Sequence, residues 1–329
     1  MAVRPILWSV SLFSTSLIVS WFIFEIICRV FVDNGMHYHL EMWKYSLRLK
    51  EVSPYAAIGH EHIANGDEVL MGVRVRTNSD GLRENGRAVA NSESVRVLML
   101  GDSITFGWGV DERNTVSAQL EEHFEKSLGP KVKVLNSGVG NYNTAMEVAW
   151  FTKYGLAMLP DIVVLNIFIN DAEPTPIYSK INWWDRYLYS RVIFFGALDT
   201  VSRRLLGGSD WRSYYDSLYE EDSAGWLKMK NSIAKLADLC DEKGIKLIFV
   251  NYPELRQLNP YPFRHINTKL SALASQNKVP YIDLLNSVDM YNPETLWVSI
   301  PDPHPNSLAT SVFANALNIK LMREFPEVF

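Results

Sequence analysis

Hydrophobic and polar positions divide the chain into three regimes. The first is an apolar run, Ile6 to Phe24, made only of apolar and small-hydroxyl residues without a charge. As a helix its nineteen residues reach roughly 28 Å, close to the roughly 30 Å hydrocarbon core of a bilayer. Trp8 and Trp21 stand where interfacial aromatics sit. Glu25 to Val32 continue the helical pattern, but Glu25 and Arg29 carry them out of the hydrocarbon. In the second regime, Asn34 to Lys50 predicts a juxtamembrane helix of mixed polarity. Val52 to Glu93 then reads as a small extension, with a strand-like piece at Val69 to Val75 and a turn at Asn78-Ser79-Asp80-Gly81.

The third regime begins at Val95, where short apolar runs alternate with helical periodicity. Val95 to Leu100, Lys131 to Leu135, Ile162 to Phe168, Leu247 to Val250 and Pro280 to Leu284 predict five strands. Between and after them, helices are predicted over Thr115 to Leu128, Thr144 to Tyr154 and Ser223 to Lys243. A last helix is capped by Asn306, with Leu308, Val312, Ala316 and Leu317 on its apolar face. Repeated strand–helix order implies an α/β, doubly wound, mostly parallel five-stranded sheet. The stretch 172–225 breaks this rhythm. It is long and aromatic, with Tyr178, Trp183, Trp184, Tyr187, Tyr189, Phe194, Phe195, Trp211, Tyr214, Tyr215 and Tyr219. It reads either as a substrate platform or as a helical insertion with its own small core. The expected organisation is thus a membrane anchor over 1–32, a juxtamembrane helix and extension over 33–93, and a main domain over 94–329 interrupted by that insertion.

Composition narrows the picture. The apolar run is not followed by a small-x-small cleavage site, and Ile27 before Cys28 is not the small residue expected before a lipid-modified cysteine, so an uncleaved single-pass anchor is expected. Arg4 favours an outer location for the rest of the chain, periplasmic in a Gram-negative host. Arg29, Lys44, Arg48 and Lys50 argue the reverse. A net charge of −5 without a basic stripe speaks against nucleic acid. The two cysteines, Cys28 and Cys240, lie far apart and predict no disulfide framework. His37 and His39, and His60 and His62, form two spaced pairs. They have no third-ligand pattern and read as solvated loop histidines, so neither a metal nor another cofactor is expected.

Chemistry collects where strands end. Gly101-Asp102-Ser103 follows the first strand, Asn136 to Asn141 the second and Asn170-Asp171 the third. Asp302-Pro303-His304-Pro305 precedes the last helix. The carboxyl ends of parallel strands share one edge, so these segments can converge. A serine hydroxyl needs a base, which His304 can be. An imidazole needs an orienting acceptor, for which Asp302 is close. An oxyanion needs backbone N–H groups of a Gly-rich turn or an amide such as Asn170.

In these blocks and their order the chain resembles the SGNH, or GDSL, hydrolase superfamily, from about Ser94 to the carboxyl terminus. The resemblance implies a serine nucleophile at Ser103, a base at His304, and an oxyanion hole from the Ser103 N–H, a backbone N–H at Gly140 or Asn141, and the Asn170 side chain. Three positions depart from the pattern. Asn141 stands where the family has its donor glycine, and Phe168 where it often has glycine. Asp302 is two rather than three residues before the histidine, with Pro301 at the usual place. The implied function is a membrane-anchored serine hydrolase of acyl or O-acetyl esters, with Trp183 and Trp184 as substrate-binding residues. The alternatives are an O-acyltransferase acting on an envelope glycan, and a non-catalytic subunit that uses the fold as a binding surface.

Overall fold

The protein's structure is a computed structural model that describes residues 3–86, 94–176, 182–205, 211–300 and 302–329. Tyr178 of the aromatic stretch and Pro301 before Asp302 lie outside the described residues.

Helix α1 (Val3–Ile27) passes into a π-helical turn at Cys28–Val32. The helical stretch Trp8–Val32, which includes that turn, is long and apolar enough to cross a membrane. Helix α2 (Tyr38–Arg48) is shorter than the predicted juxtamembrane helix, because the chain becomes strand β1 (Lys50–Val52) and pairs antiparallel with β2 (His60–His62). The predicted strand Val69 to Val75 is instead a hairpin, β3 (Asp67–Leu70) and β4 (Val73–Arg76). Met71 and Gly72 both take positive φ and reverse the chain between them. The turn at Asn78 forms as expected, with the Asn78 side chain accepting from the Asp80 and Leu82 N–H groups.

The main sheet starts with β5 (Val95–Leu100), which leads into the single-turn helix α3 (Ser103–Phe106). Helix α4 (Val116–Leu128) is capped by the Thr115 hydroxyl, and β6 (Val132–Asn136) comes next. Helix α5 (Thr144–Lys153) is capped by Asn143 and leads to β7 (Ile162–Ile167), in which every residue is buried. The aromatic stretch forms α6 (Trp183–Tyr187), α7 (Tyr189–Leu205) and α8 (Trp211–Leu218). Then come α9 (Ala224–Lys243), closed at Gly244 in the left-handed region, and β8 (Lys246–Asn251). Helix α10 (Arg264–Gln276), which the hydrophobic pattern does not mark, precedes β9 (Tyr281–Asp283) and α11 (Leu285–Val288). Strands β10 (Trp297–Ser299) and β11 (Asp302–Pro305) make a small antiparallel pair before α12 (Ser307–Glu324).

The five strands β5 to β9 form one all-parallel sheet in the order β6-β5-β7-β8-β9. Strand order therefore reverses between β5 and β7, and the loop after β5 opens onto that switch point, where open α/β sheets hold their ligands. One apolar core lies on both faces of the sheet, from Val97 to Leu100 and Ile162 to Leu165 out to Phe313 and Leu317 of α12. Asn306 caps α12 as expected, accepting from the N–H groups of Leu308 and Ala309. The inward face of that helix is Ala309, Phe313, Ala314, Leu317 and Leu321. Leu308, placed on the apolar face by the sequence pattern, is 44% exposed because it lies in the first turn beside the cap.

Candidate active site

Two backbone features aim Ser103. β5 ends at Gly101, where a Cβ would lie 2.0 Å from the Thr105 hydroxyl, so only glycine lets α3 begin this close. Asp102 then caps α3 by accepting the Ile104 N–H at 2.8 Å. Ser103 is the first residue of that turn, where backbone N–H groups have no intrahelical acceptor.

The Ser103 hydroxyl donates to His304 Nε2 at 2.9 Å, and His304 Nδ1 donates to Asp302 Oδ1 at 2.5 Å. The tautomer is set by this network. Asp302 also accepts the His304 backbone N–H at 3.2 Å, and its Oδ2 accepts the Trp108 indole N–H at 2.9 Å. Burial alone would raise the Asp302 carboxyl, but the hydrogen bonds and charge of His304 and the Trp108 bond outweigh it and hold the group below its usual range. The spacing of two that departs from the family pattern has a simple cause. Asp302 and His304 lie in a strand, where residues i and i+2 point to one face. In this backbone the shorter spacing brings carboxylate and imidazole together.

The second block is pinned to the first. Ser137 N–H donates to Met99 O, Val139 N–H to Gly101 O, and the Asn136 amide to Thr105 O at 2.7 Å. At Gly138 a Cβ would meet the Phe106 nitrogen at 2.2 Å, so the turn lies directly on α3. Asn141 has φ +69°, the left-handed backbone that a glycine would supply and that asparagine tolerates better than most side chains. Of the two turn residues the resemblance implied as donors, Gly140 gives its N–H to the buried Tyr45 hydroxyl at 2.9 Å.

In the third block, the Asn170 side chain lies beside the Asp102 carboxylate. Asp171 accepts from the Thr144 hydroxyl at 3.0 Å. Asp102, Asp171 and Glu147 are all buried under this loop. Burial first, then mutual repulsion, pushes Asp171 and Glu147 well above the carboxylate range, and burial raises Asp102.

Several residues near the site carried no signal in the sequence. Trp108 sits between Gly107 and Gly109, both with positive φ, and a Cβ on Gly109 would strike Val298 at 2.5 Å. That aromatic between two glycines was the one available hint. Tyr38 of α2 stacks over His304 with ring centroids 6.4 Å apart. Burial, then the nearby Asp302, raises its phenol to about 12, so it stays protonated. His60 and His62 are not solvated loop residues. They are buried in β2, where burial and then the adjacent Lys50 push both rings down to about 3. Among the described residues no group of three or more His, Cys, Asp or Glu is placed to hold a metal ion. Trp183 and Trp184 make ring contacts with each other at 4.8 Å, and Trp183 with Tyr187 at 5.4 Å. They are 60% and 59% exposed. Their helix reaches the site indirectly, through Trp43 of α2, whose indole N–H donates to Asp185 O at 2.5 Å.

A hydroxyl bonded to an imidazole that is bonded to a carboxylate can deliver an activated nucleophile to a carbonyl. An acetylxylan esterase of Xylanibacter ruminicola is 36% identical over 90 residues, which make up 25% of this chain and 18% of that protein, so the chain spans under a fifth of this relative's length. The solved structure of a putative lipolytic protein of the G-D-S-L family from Desulfitobacterium hafniense is 16% identical, with 69% of this chain and 100% of that one covered at a TM-score of 0.44. An alpha/beta hydrolase enzyme from the metagenome of Lake Arreo is likewise 16% identical, with 70% and 96% covered at a TM-score of 0.48. Residues 99–309, most of the chain, match the GDSL-like lipase/acylhydrolase family, and the chain belongs to that family.

Proposed function

We propose that the protein is a membrane-anchored serine esterase that cleaves acyl or O-acetyl esters through an acyl-serine intermediate. The observation that carries the reading is the continuous chain Ser103–His304–Asp302, at 2.9 and 2.5 Å. In the first half-reaction the Ser103 oxygen bonds to the ester carbonyl carbon as its proton passes to His304 Nε2. Asp302 stabilises the resulting imidazolium without taking the proton. The oxyanion accepts from the Ser103 N–H, the Asn141 N–H and the Asn170 amide. Collapse breaks the ester C–O bond, and the leaving alcohol takes the proton from His304. In the second half-reaction, water gives a proton to His304 and attacks the acyl carbon; the bond from that carbon to the Ser103 oxygen then breaks, the carboxylic acid leaves, and the proton returns from His304 to Ser103.

An acetyl-sized acyl group on a glycan is the substrate class favoured by the partial likeness to an acetylxylan esterase. Residues 1–32 serve as a single-pass anchor, 33–93 as an extension and 94–329 as the hydrolase unit, on the outer side of the membrane. The insertion, with Trp183 and Trp184, contacts substrate. No cofactor takes part in this scheme.

The test is hydrolysis of p-nitrophenyl acetate and labelling by a fluorophosphonate, using the full chain in detergent. Ser103→Ala should abolish labelling and lower kcat on the order of 10⁶-fold. A folded Ser103→Ala protein with undiminished activity would overturn the reading.

A further inference from the structure

One buried cation beside the active site has no part in these reaction steps. Lys50, the first residue of β1, lies outside the residues that match the family, yet its side chain ends on the turn that carries Asn141. Its Nζ donates to Gly140 O at 2.5 Å and to Asn141 Oδ1 at 3.1 Å, and stands 4.2 Å from the centre of the Tyr45 ring. Gly140 O also accepts from His60 Nε2 at 3.0 Å. We propose that Lys50 is a positioning residue for catalysis: its ammonium holds and polarises the Gly140–Asn141 peptide, so that the Asn141 N–H meets the oxyanion as a stronger, fixed donor. This rests on the reading of Asn141 as an oxyanion donor.

The geometry carries the inference in three steps. First, Gly140 C=O and Asn141 N–H are the two ends of one planar peptide. A cation bonded to the oxygen draws electron density from the nitrogen, and the planar unit passes the orientation of one end to the other. Second, the ammonium form has three N–H donors, and three acceptors surround it: a carbonyl, an amide oxygen and an aromatic face. Third, the neighbouring groups do not quench the charge. Tyr45 faces Lys50 from α2, and His60 and His62 from β2. Both histidines stay neutral near pH 7, and Arg83 adds a second cation near His62. Glu51 and Glu61 pair on the opposite face of the two strands. The turn side offers Tyr142, whose hydroxyl donates to His60 O. Among the described residues no carboxylate bonds to Lys50.

The turn is held from its other end as well. Tyr45 accepts the Gly140 N–H and donates to His62 Nε2 at 2.6 Å, and His62 Nδ1 donates to Gly81 O at 3.2 Å. With Gly140 fixed on both sides, the one degree of freedom left to the peptide is small. Burial lowers the Lys50 ammonium well below its usual value, so its charge is lost at a lower pH than that of a surface lysine.

The experiment uses the full chain in detergent with p-nitrophenyl acetate, and circular dichroism to check folding. Lys50→Met keeps the stem and removes the charge. We expect kcat to fall about 10–100-fold, somewhat less than the 10²–10³ typical of deleting an oxyanion donor, with KM changed less than about threefold. The unaltered enzyme should lose kcat on an alkaline limb below the lysine value of 10.5 while it stays folded, and Lys50→Met should lack that limb. A purely structural lysine would leave the limb in place. A folded Lys50→Met with kcat and limb unchanged, beside an inactive Ser103→Ala, overturns this inference and leaves the serine reading intact. Activity in Ser103→Ala overturns both. Should Lys50→Met fail to fold, a flat kcat from pH 7 to 10.5 in the unaltered enzyme overturns the inference on its own.

Discussion

Two regions lie outside the β–α rhythm, and they are built in opposite ways. The segment from Tyr38 to Arg83 turns polar groups inward. Tyr45, Lys50, His60, His62 and Arg83 are all buried; Tyr45, Lys50 and His60 bond to the Gly140 turn, Arg83 bonds to the loop after Ser103, and His62 braces Tyr45. Arg83 donates to Val110 O at 2.7 Å, holding the loop that presents Trp108 to Asp302. The insertion α6–α7 does the reverse. Trp183, Trp184, Phe194 and Phe195 are at least half exposed, and its polar ties run to Trp43 of α2 and to Glu25 at the end of the apolar helix. A buried polar group left without a partner costs about 1–3 kcal/mol, so a segment that ties buried Tyr45, Lys50, His60 and Arg83 to the loops around Ser103 is constrained by them. Exposed aromatics carry no such constraint. The difference teaches that the first segment is tied to the Ser103 loops through buried polar bonds, and that the second is not.

Three variants sharpen this contrast. The largest expected effect belongs to the proposed Ser103–His304–Asp302 chain. Asp302→Ala should lower kcat about 10⁴-fold on any ester, since both its oxygens are engaged with His304 and Trp108. A loss below about tenfold would transfer the orienting role to another acceptor. In the buried extension, Tyr45→Phe removes the acceptor of the Gly140 N–H and the donor to His62. It should lower kcat about tenfold and destabilise the fold by about 1–3 kcal/mol, read from denaturant melts. If both quantities stay at their original values, the extension is not coupled to the turn. The smallest effect belongs to the insertion. Replacing Trp183 and Trp184 with alanine should raise KM a few-fold, or shift the preference between acyl chains or glycans. With both rings exposed, stability should change by no more than about 0.5 kcal/mol. Unchanged kinetics with lowered stability would make the insertion purely structural.

Much of the fold could be read from sequence because it is written in local patterns. Buried strands such as Ile162 to Ile167 are continuous apolar runs, and Thr115, Asn143 and Asn306 are short polar residues just before periodic segments. The four site blocks could be read for the same reason, each being a few adjacent residues. What escaped depends on partners far along the chain. Lys50 meets its partners 90 and 91 residues away, and a lone lysine after a mixed helix reads as surface. His60 and His62 looked solvated because their alternate spacing lies among polar residues. The strand that buries them has only three residues, too short to show a period. Asp302 looked misplaced because spacing alone does not show that it and His304 lie in an extended strand, where positions i and i+2 share one face. Leu308 looked buried because periodicity gives the face of a helix but not where its cap leaves the protein surface.

Glu25 bears on how the protein can be handled. Its carboxylate accepts the Tyr189 N–H at 3.1 Å and the Ser190 N–H at 2.8 Å, capping α7 from the end of the apolar helix, and it is bridged to Arg29 at 2.7 Å. Arg29 in turn donates to Tyr187 O and lies 4.5 Å from the Tyr189 ring centre. Cutting the chain after Val32 to obtain a water-soluble enzyme would therefore do more than remove a hydrophobic handle. It would strip the cap from α7 and unseat the aromatic helices beside it. A shortened enzyme that keeps Glu25 and Arg29 retains that joint, so the useful cut lies within the apolar helix rather than after it.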